Sequence, residues 1–535
     1  MSSPLIDLPE SFNAAIFFVD RHLAEGHGDR PVFRESGRTI TYAELAVRVN
    51  RAGQTLRSLG VEMENRVLLA LPDSPEFAEA FWGAIKIGAV AVPVNPWLKG
   101  QEYAFLLRDT RAKVAVVHEE AAREIAQVRD QCRFLHHVVV TGRPRRGMKA
   151  YERLAARASP LLAPAETTRD DVAMWAYTSG STGRPKAAVH LQHDIVYAAD
   201  LVGIQTLGIG PADVIFSASK LFFTFGLGNS LLFPGRVGAA SILVAERTDA
   251  KANLEIITRE RPTAFFAVAT LYAQMLQVES AARRYDLSSL RLCVSSGEAL
   301  PPSVLHGWKE RFGLELVDVL GSTEALHDFI ANRPGEVRPG SCGRLVPGFE
   351  ARLVDDAGAP VPPGSVGHLL IKGETTAPYY WNRHEETKRT MLGEWLRTGD
   401  MLYHDPDGYF YFCGRSDDML KAGGLWVSPN EVEGCLMEHP AVLEAGVIGR
   451  PDSQGLLKPC AFVVLKSGYA SSPALKEELQ EHVRRRLARH KAPAWVEFLS
   501  ELPKTATGKI QRFKLRTISP ATDSAPEEVI RAARE

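Results

Sequence analysis

The sequence predicts an α/β fold, with parallel-sheet α/β subdomains filling a large N-terminal region. The first observation is a series of short apolar runs separated by helical patterns, which is typical of parallel sheets. The second is a change near residue 340, where Gly, Pro and Asp become frequent and the apolar runs shorten. We therefore expect a small β-rich subdomain there, followed by a small mobile α+β C-terminal domain. The predicted domains are 1–416 and 417–517, with a flexible tail at 518–535.

The periodicity of apolar residues predicts the individual elements. Residues 41–60 should form a helix, because Thr41 and Glu44 make a capping box and apolar residues recur every three or four positions. A strand at 67–71, a helix from Pro75 to about Gly88 and a strand at 89–94 then form a βαβ unit. Further strands are predicted at 114–117, 138–140, 214–216, 241–244, 264–268, 292–294, 350–354, 368–371 and 409–413. In the C-terminal region the pattern predicts helices at 431–437 and 475–489, and strands at 445–448 and 461–465.

Composition excludes several classes of protein. The 535 residues are 45% hydrophobic and 24% charged, with a net charge of -1, so no overall field attracts nucleic acid or an anionic membrane. The six cysteines are scattered without a C-x-x-C pair, which argues against zinc and against a disulfide framework. The N-terminus lacks a secretory pattern, and the most apolar window, 78–96, is interrupted by Glu79 and Lys86. We expect a cytoplasmic protein.

The segment Tyr177-Thr-Ser-Gly-Ser-Thr-Gly-Arg-Pro-Lys186 is the most informative part of the chain. Glycines let successive backbone N–H groups converge on phosphate oxygens, hydroxyls add donors, and lysine adds a point charge. Its spacing differs from the Gly-Lys-Ser/Thr of phosphate-loop NTPases, which disfavours a kinase or GTPase. A polar surface turn is the alternative, but the preceding strand-like run favours a nucleotide phosphate loop. The residues of this loop are Thr178, Ser179, Gly180, Ser181, Thr182, Gly183 and Lys186.

Other polar clusters follow predicted strands. Gly321-Ser-Thr-Glu324 places a carboxylate beside a hydroxyl, which suits Mg²⁺ on a nucleotide, although taken alone a helix N-cap explains it better. Ser296-Gly297-Glu298 could shape an adenine pocket or form an ordinary strand-to-helix turn. Asp400 follows a tight turn, where it could accept ribose hydroxyls or form an Asx turn.

Two glycine-containing segments lie further along the chain. Residues 414–424 coincide with the second change in pattern, and they are either a linker or a functional hinge. Residues 503–509 again present a lysine, Lys509, after a glycine turn.

The order and spacing of these motifs resemble the adenylate-forming superfamily of acyl-CoA synthetases, adenylation domains and firefly-type luciferases. The resemblance covers about residues 30–517. Each motif is weak alone, but their joint occurrence in this order is specific. Three segments resemble benzoate-CoA ligases in particular: Lys220-Leu-Phe-Phe-Thr-Phe-Gly-Leu-Gly-Asn229, Gly321-Ser-Thr-Glu-Ala-Leu-His327 and Gly423-Gly-Leu-Trp-Val-Ser-Pro429.

The resemblance implies an AMP-forming acid–thiol ligase with ATP, Mg²⁺ and CoA. Such an enzyme makes an acyl-AMP from a carboxylic acid and Mg·ATP and then transfers the acyl group to a thiol. Attack of one anion on another requires positioning and charge neutralisation. The resemblance implies that Lys509 contacts the carboxylate and α-phosphate, that Lys186 and its loop hold the β- and γ-phosphates, that Thr323 contacts the α-phosphate, and that Glu324 binds Mg²⁺. It implies an adenine site at Ser296, Gly297 and Glu298, and a ribose site at Asp400 and Arg415. Asp417 would be the hinge, and Lys421, Gly423 and Gly424 would line the path of pantetheine.

The implied substrate is an aromatic acid, benzoate or a substituted benzoate. Phenylalanines in 220–229 suit an aryl ring, although ordinary core packing is the alternative. The predicted substrate residues are Phe222, Phe223, Thr224, Phe225, Gly226, Gly321 and His327. Phe225 stands where benzoate-CoA ligases commonly have tyrosine, and Thr224 replaces alanine, which could favour a substituted ring.

Three other functions stay open at this point. One is an aryl-acid adenylation enzyme that loads a carrier protein, and another is a medium-chain acyl-CoA synthetase. The third is a regulatory protein with a dead site, which intact Lys186, Glu324, Asp400 and Lys509 disfavour. No nucleic-acid or membrane partner is expected. A homodimer is possible, and acetylation of Lys509 would remove its charge and block adenylation.

Overall fold

The structure is a computed structural model, and it describes residues 6–179, 185–422, 425–452, 456–504 and 510–518. The chain divides into two compact units. Unit 1 comprises Met1–Thr398 and Tyr403–Tyr411, and unit 2 comprises Gly399–Leu402 and Phe412–Glu535. The predicted domain boundaries at 416 and 517 stay predictions.

The helices are given in chain order. They are α1 (Arg21–Ala24), α2 (Tyr42–Ser58), α3 (Pro75–Lys86), α4 (Gly100–Thr110), α5 (Glu119–Val128), α6 (Tyr151–Arg157), α7 (Gln192–Tyr197), α8 (Thr224–Leu227), α9 (Phe233–Val237), α10 (Ala250–Glu260), α11 (Ala269–Gln277), α12 (Ala281–Arg284), α13 (Pro302–Phe312), α14 (His384–Thr390), α15 (Pro429–Met437), α16 (Pro473–Arg486) and α17 (Arg512–Leu515). Short π-helical turns occupy Ile16–Asp20, Ala198–Ile204 and Gly228–Leu232, and 3-10 turns occupy Arg129–Gln131, Thr323–Ala325 and Arg489–Lys491.

The strands are also numbered along the chain. They are β1 (Pro31–Glu35), β2 (Arg38–Thr41), β3 (Arg66–Ala70), β4 (Val90–Pro93), β5 (Val114–His118), β6 (His137–Thr141), β7 (Lys149–Ala150), β8 (Val172–Ser179), β9 (Pro185–Leu191), β10 (Val214–Ser217), β11 (Ala240–Ile242), β12 (Ala264–Ala267), β13 (Leu292–Ser295), β14 (Leu316–Gly321), β15 (Asp328–Ala331), β16 (Arg344–Leu345), β17 (Glu350–Val354), β18 (Gly367–Lys372), β19 (Met391–Leu392), β20 (Trp395–His404), β21 (Phe410–Arg415), β22 (Leu420–Ala422), β23 (Leu425–Val427), β24 (Val442–Pro451), β25 (Leu457–Leu465) and β26 (Trp495–Phe498).

Unit 1 contains two large sheets. One has seven strands in the order β7-β6-β5-β3-β4-β8-β9, parallel except for the antiparallel β8–β9 pair. The other has nine strands in the order β16-β15-β14-β13-β12-β10-β11-β1-β2, with parallel pairing from β14 to β1. Helices cover these sheets, as parallel strands buried on both faces require. The predicted α/β class with parallel sheets is confirmed.

Local sequence signals explain several elements. Helix α2 begins at the predicted capping box, since the Thr41 hydroxyl accepts from the Glu44 N–H and the Glu44 carboxylate accepts from the Thr41 N–H. Strands β3 and β4 pair in parallel on either side of α3, which confirms the predicted βαβ unit. After residue 340, strands β17 to β20 form a separate antiparallel sheet in which β21 pairs with β20, as the change in composition predicted.

Unit 2 contains a sheet in the order β24-β25-β26, with helices α15 and α16 contributing to its core. The predicted helix at 475–489 is too long, because α16 ends at Arg486 and Arg489–Lys491 is a separate 3-10 turn. Leu487 adopts an extended conformation and packs against the core of the unit, so burial of its side chain overrides the helical pattern. Among the described residues, no helix combines the length and apolar character needed to cross a bilayer.

Candidate active site

The base of the predicted phosphate loop is an antiparallel hairpin. Strand β8 ends at Ser179, β9 begins at Pro185, and Thr178 is opposite Lys186 in the register. Lys186 is therefore the second residue of β9 and lies close to the end of the predicted phosphate loop. Gly180, Ser181, Thr182 and Gly183 lie outside the described residues.

Three side chains from separate segments meet beside this hairpin. Lys186 Nζ lies 3.9 Å from Glu324 Oε1 and 3.8 Å from the centroid of the Tyr380 ring. The Tyr380 hydroxyl donates to the same Glu324 oxygen at 2.6 Å. Tyr380 is almost completely buried, while the Lys186 and Glu324 side chains are 20% and 16% exposed. The cluster therefore holds one cation and one carboxylate in place with partial access to solvent.

The segment that carries Glu324 is fixed by its backbone. It follows β14, and its carbonyl oxygens at Glu324 and Ala325 accept from the Ala377 N–H and the Thr375 hydroxyl. Leu326 is buried at φ +62°, and the His327 N–H donates to the Ala325 carbonyl at 2.7 Å, which makes a γ-turn. A positive φ at a buried leucine is strained, so the surrounding contacts must impose this turn.

Gly321 precedes this turn, and a Cβ there would overlap the His327 carbonyl. The close approach therefore requires glycine at this position. Ser322 is the N-terminal flanking residue of the 3-10 turn, but its side chain makes no capping hydrogen bond. Helix N-capping by a side chain therefore does not explain the Gly321-Ser-Thr-Glu324 motif.

His327 points away from the charged cluster into an aromatic wall. Its ring centroid lies 5.6 Å from that of Phe225 and 4.7 Å from that of Phe233, and its Nδ1 lies 2.9 Å from Asp328 Oδ2. Gly228 packs directly against the His327 ring, so closely that a Cβ at this position would overlap the imidazole. Phe225 in turn contacts Phe266 at 6.2 Å between centroids.

The remaining predicted acyl residues lie around the start of α8. Phe222, Phe223, Thr224 and Phe225 are partly exposed, whereas Gly226 is buried against the Lys220 carbonyl, which a Cβ there would overlap. Phe222 packs edge-on against Trp97, with 5.7 Å between centroids. Partial exposure distinguishes these phenylalanines from the fully buried core residues Phe216, Phe233 and Phe265.

Ser296, Gly297 and Glu298 follow β13. The Ser296 hydroxyl donates to Asp328 Oδ1 at 3.0 Å, and Glu298 Oε2 accepts from both the backbone N–H and the hydroxyl of Thr270. Gly297 adopts φ +86°, which glycine tolerates at little cost. The turn thus joins β13 to two neighbouring segments.

In unit 2, Asp400 and Arg415 form an ion pair. Arg415 Nη1 lies 2.9 Å from Asp400 Oδ1, Asp400 is buried, and Arg415 is half exposed. Gly399, at φ +78°, lets the chain turn beneath the guanidinium, which a Cβ there would crowd. Asp417 is exposed, and its carbonyl lies 3.4 Å from Arg516 Nη2. Lys421 pairs with Trp426 in the β22–β23 ladder, whereas Gly423, Gly424 and Lys509 lie outside the described residues.

Sequence reasoning missed two residues of this site. Tyr380 lies in a loop 56 positions after Glu324, and no motif surrounds it. His190 lies four residues after Lys186, and its Nε2 is 2.8 Å from the Thr323 carbonyl. The only signal for His190 is a polar residue within the otherwise apolar second half of β9.

Comparison with known proteins decides the family. The model for AMP-binding enzymes matches residues 20–381, and the model for the AMP-binding enzyme C-terminal domain matches residues 431–509. The chain belongs to the AMP-binding enzyme family. The resemblance to adenylate-forming enzymes is therefore confirmed.

One relative and two solved structures resemble the chain over nearly its full length. It is 45% identical to a benzoate–CoA ligase of Thauera aromatica, over 96% of this chain and 97% of the relative. A solved anthranilate CoA ligase in complex with anthranoyl-AMP has a TM-score of 0.92 and 43% identity, covering 95% and 98% of the two chains. A benzoate CoA ligase from Burkholderia xenovorans LB400 has a TM-score of 0.87 and 42% identity, covering 94% and 100%.

Proposed function

We propose that this AMP-binding enzyme is an ATP-dependent aryl-acid CoA ligase of the benzoate–CoA ligase type. A carboxylate oxygen of the acid attacks the α-phosphorus of ATP, and the bond to the β-phosphate breaks to release pyrophosphate. The thiolate of CoA then attacks the acyl carbonyl and releases AMP. Relatives named as benzoate–CoA ligases, at 45% and 42% identity over nearly the whole chain, support this assignment.

One observation carries the proposal in the structure. The segment 321–327 turns a carboxylate, Glu324, toward Lys186 and an imidazole, His327, toward Phe225. A reaction between a nucleotide and an aromatic acid needs a charged compartment and an apolar compartment that share a wall. The γ-turn at Leu326 separates the two with a single residue of strained backbone.

The charged compartment suits ATP phosphates. In this proposal Lys186, Thr178 and the loop residues 179–183 hold the β- and γ-phosphates, and Thr323 contacts the α-phosphate. Glu324 would hold Mg²⁺, since one protein carboxylate together with phosphate oxygens is the coordination that Mg²⁺ commonly takes with nucleotides. Bound Mg²⁺ would neutralise charge on the triphosphate, while Lys186 and Tyr380 keep the carboxylate in position.

The apolar compartment suits an aryl ring. Phe222, Phe223 and Phe225 supply apolar area, and His327 borders the end nearest Glu324. We propose that Thr224 and Phe225 set the preference among benzoates. Compared with benzoate-CoA ligases, Thr224 adds a hydroxyl and Phe225 lacks one. A Thr224→Ala, Phe225→Tyr double variant should then change the relative kcat/KM for benzoate and hydroxybenzoates. Equal ratios in both proteins would refute this point.

The remaining residues are assigned from the resemblance. Asp400 and Arg415 would bind ribose, and Ser296, Gly297 and Glu298 would line the adenine side. Lys509 would neutralise charge on the carboxylate and α-phosphate during adenylation. After that step, rotation at Asp417 would replace Lys509 by the segment with Lys421, Gly423 and Gly424, past which pantetheine would approach. A homodimer and regulation by acetylation of Lys509 also remain proposals.

The test is product analysis by mass spectrometry. The protein is incubated with Mg·ATP, CoA and equimolar benzoate, anthranilate, hydroxybenzoates and medium-chain fatty acids, with the Glu324→Gln variant as a control for contaminating ligases. We expect aroyl-CoA and AMP, with little product from the variant. AMP without a CoA ester would favour the carrier-protein alternative, and fatty acyl-CoA alone would favour a medium-chain synthetase.

A further inference from the structure

His190 lies beside the charged cluster of Lys186, Glu324 and Tyr380, and both of its ring nitrogens have hydrogen-bond partners. Nδ1 is 3.0 Å from Asp194 Oδ2, and Nε2 is 2.8 Å from the Thr323 carbonyl oxygen. The ring is completely buried, and Asp194 is only 1% exposed. Both distances are those of hydrogen bonds.

Both partners of His190 are hydrogen-bond acceptors. A backbone carbonyl cannot donate, and an ionised carboxylate cannot donate either. Burial acts to raise the pKa of Asp194, but its contacts with His190 and His193 outweigh burial and lower it. His190 is therefore the donor in its hydrogen bond to the Thr323 carbonyl.

Further hydrogen bonds support the buried contact between His190 and Asp194. Asp194 Oδ2 also accepts from the Leu191 N–H at 3.0 Å, and Asp194 Oδ1 lies 3.0 Å from His193 Nε2. His193 is in turn 3.2 Å from Asp170 and 3.0 Å from the Arg169 carbonyl. Loss of a partner would leave the buried Asp194 carboxylate less well compensated, so the arrangement is costly to disturb.

The link joins the two segments that carry the charged cluster. His190 is on β9, the strand of Lys186, and Thr323 immediately precedes Glu324. We propose that His190, through the Thr323 carbonyl, is a positioning residue for adenylation that sets the distance between Lys186 and Glu324. The inference rests on the proposed function, because the cluster is assigned there to ATP.

A second anchor makes the effect specific. The Glu324 backbone is also held by the Ala377 N–H, and its side chain by Tyr380, so loss of the His190 link shifts the cluster without releasing it. The aromatic wall around His327 does not include His190. Loss of the link should therefore lower kcat for aroyl-AMP formation and leave KM for the aryl acid unchanged.

The experiment compares two amides that imitate different nitrogens of the ring. The glutamine of His190→Gln can place its amide NH₂ where Nε2 lies and keep the bond to Thr323, while the asparagine of His190→Asn imitates Nδ1 and loses that bond. Benzoate-dependent exchange of labelled pyrophosphate into ATP measures adenylation. We expect kcat to fall at least tenfold in His190→Asn and at most threefold in His190→Gln, with KM for benzoate unchanged in both.

Controls separate the possible failures. His439→Asn removes a buried histidine that pairs with Glu478 at 3.1 Å in unit 2, and it should leave exchange unchanged. Equal kcat in the two His190 variants would overturn the inference. If His190→Asn does not fold, Asp194→Asn replaces it, and an unchanged kcat there would also overturn it. Absence of exchange in the unmodified protein would refute the proposed function instead.

Discussion

The Lys186 ammonium lies 3.9 Å from the Glu324 carboxylate, across the gap between β9 and the turn after β14. Tyr380 contacts both groups: its ring lies beside Lys186, and its hydroxyl donates to Glu324. A cation and a carboxylate that already face each other keep fixed positions before substrate arrives. If the cluster binds ATP as we propose, little reorganisation is needed when phosphates approach, which is the condition under which electrostatic stabilisation is most effective.

Tyr380→Phe should weaken the use of Mg·ATP. The phenylalanine keeps the ring beside Lys186 but removes the hydrogen bond to Glu324, which is of the kind worth about 1.5–3 kcal/mol for a charged acceptor. We expect kcat/KM for Mg·ATP to fall by roughly 10- to 100-fold, with little change in KM for benzoate. Tyr409→Phe, which removes a hydroxyl bonded to the Glu336 carbonyl, is the matched control. Wild-type kinetics in Tyr380→Phe would contradict the assigned role.

Gly228→Ala should impair binding of the aryl acid. The new Cβ would overlap the His327 ring, which is confined between Phe225 and Phe233 and has no room to shift. We expect KM for benzoate to rise by about 5- to 150-fold, which corresponds to a typical overpacking cost of about 1–3 kcal/mol, while KM for ATP stays within about twofold. Steady-state kinetics with each substrate varied in turn measure both constants.

Gly434→Ala is the control for Gly228→Ala. Gly434 lies in α15, and a Cβ there meets nothing within 4 Å, so the substitution should be neutral or slightly stabilising. A rise in KM for ATP and benzoate alike in Gly228→Ala would indicate general damage to the fold and contradict the specific role of this contact.

The sequence predicted the fold well because its signals are local. The capping box at Thr41 and Glu44 and the apolar residues of strand β3 each depend on only a few neighbouring residues. The antiparallel pairing of β8 with β9 is harder to predict from the sequence, because the other strands of this sheet pair in parallel. The family resemblance then implied residue roles that no local pattern predicts, and these roles stay predictions.

The missed residues are those whose importance arises from distant contacts. Tyr380 resembles any loop tyrosine until the chain brings it within 2.6 Å of Glu324. His190 resembles a core histidine until its two acceptors are known, and one of them is a backbone carbonyl 133 positions away. Side-chain identity records neither contact. Leu326 likewise gives no sign of a positive φ, since leucine is a poor residue for that conformation.

Lys509→Gln should separate the two half-reactions. Glutamine removes the positive charge of Lys509, which we propose stabilises the adenylation transition state, and acetylation would remove the same charge. We expect benzoate-dependent pyrophosphate exchange to fall by about 100-fold or more, the scale seen when one electrostatic donor is lost. Conversion of supplied benzoyl-AMP and CoA to benzoyl-CoA should remain within a few fold of wild type. Exchange at the wild-type rate would contradict the prediction.

Lys504→Gln is the control for Lys509→Gln. Lys504 lies in the same stretch of sequence, and its Nζ is 2.6 Å from Glu444 Oε1 in unit 2. The substitution removes one positive charge near the C-terminus without touching the residue assigned to the reaction. Near-normal exchange in Lys504→Gln alongside loss in Lys509→Gln would show that position, and not net charge, matters.

Alkaline pH should destabilise unit 1 through His193. Burial acts to lower the pKa of His193, but its contact with Asp194 at 3.0 Å outweighs burial and raises the pKa to about 9. Because the folded protein holds this proton more tightly than the unfolded chain, whose histidine pKa is about 6.5, the stabilisation is complete below about pH 6.5. It is lost as pH rises toward 9, and its upper limit is about 3 kcal/mol, since part is shared with Asp194. Urea unfolding of the wild type and of His193→Gln at several pH values measures it: the difference in free energy of unfolding should shrink between pH 6.5 and 9, and a constant difference would mean that His193 stays neutral in the fold.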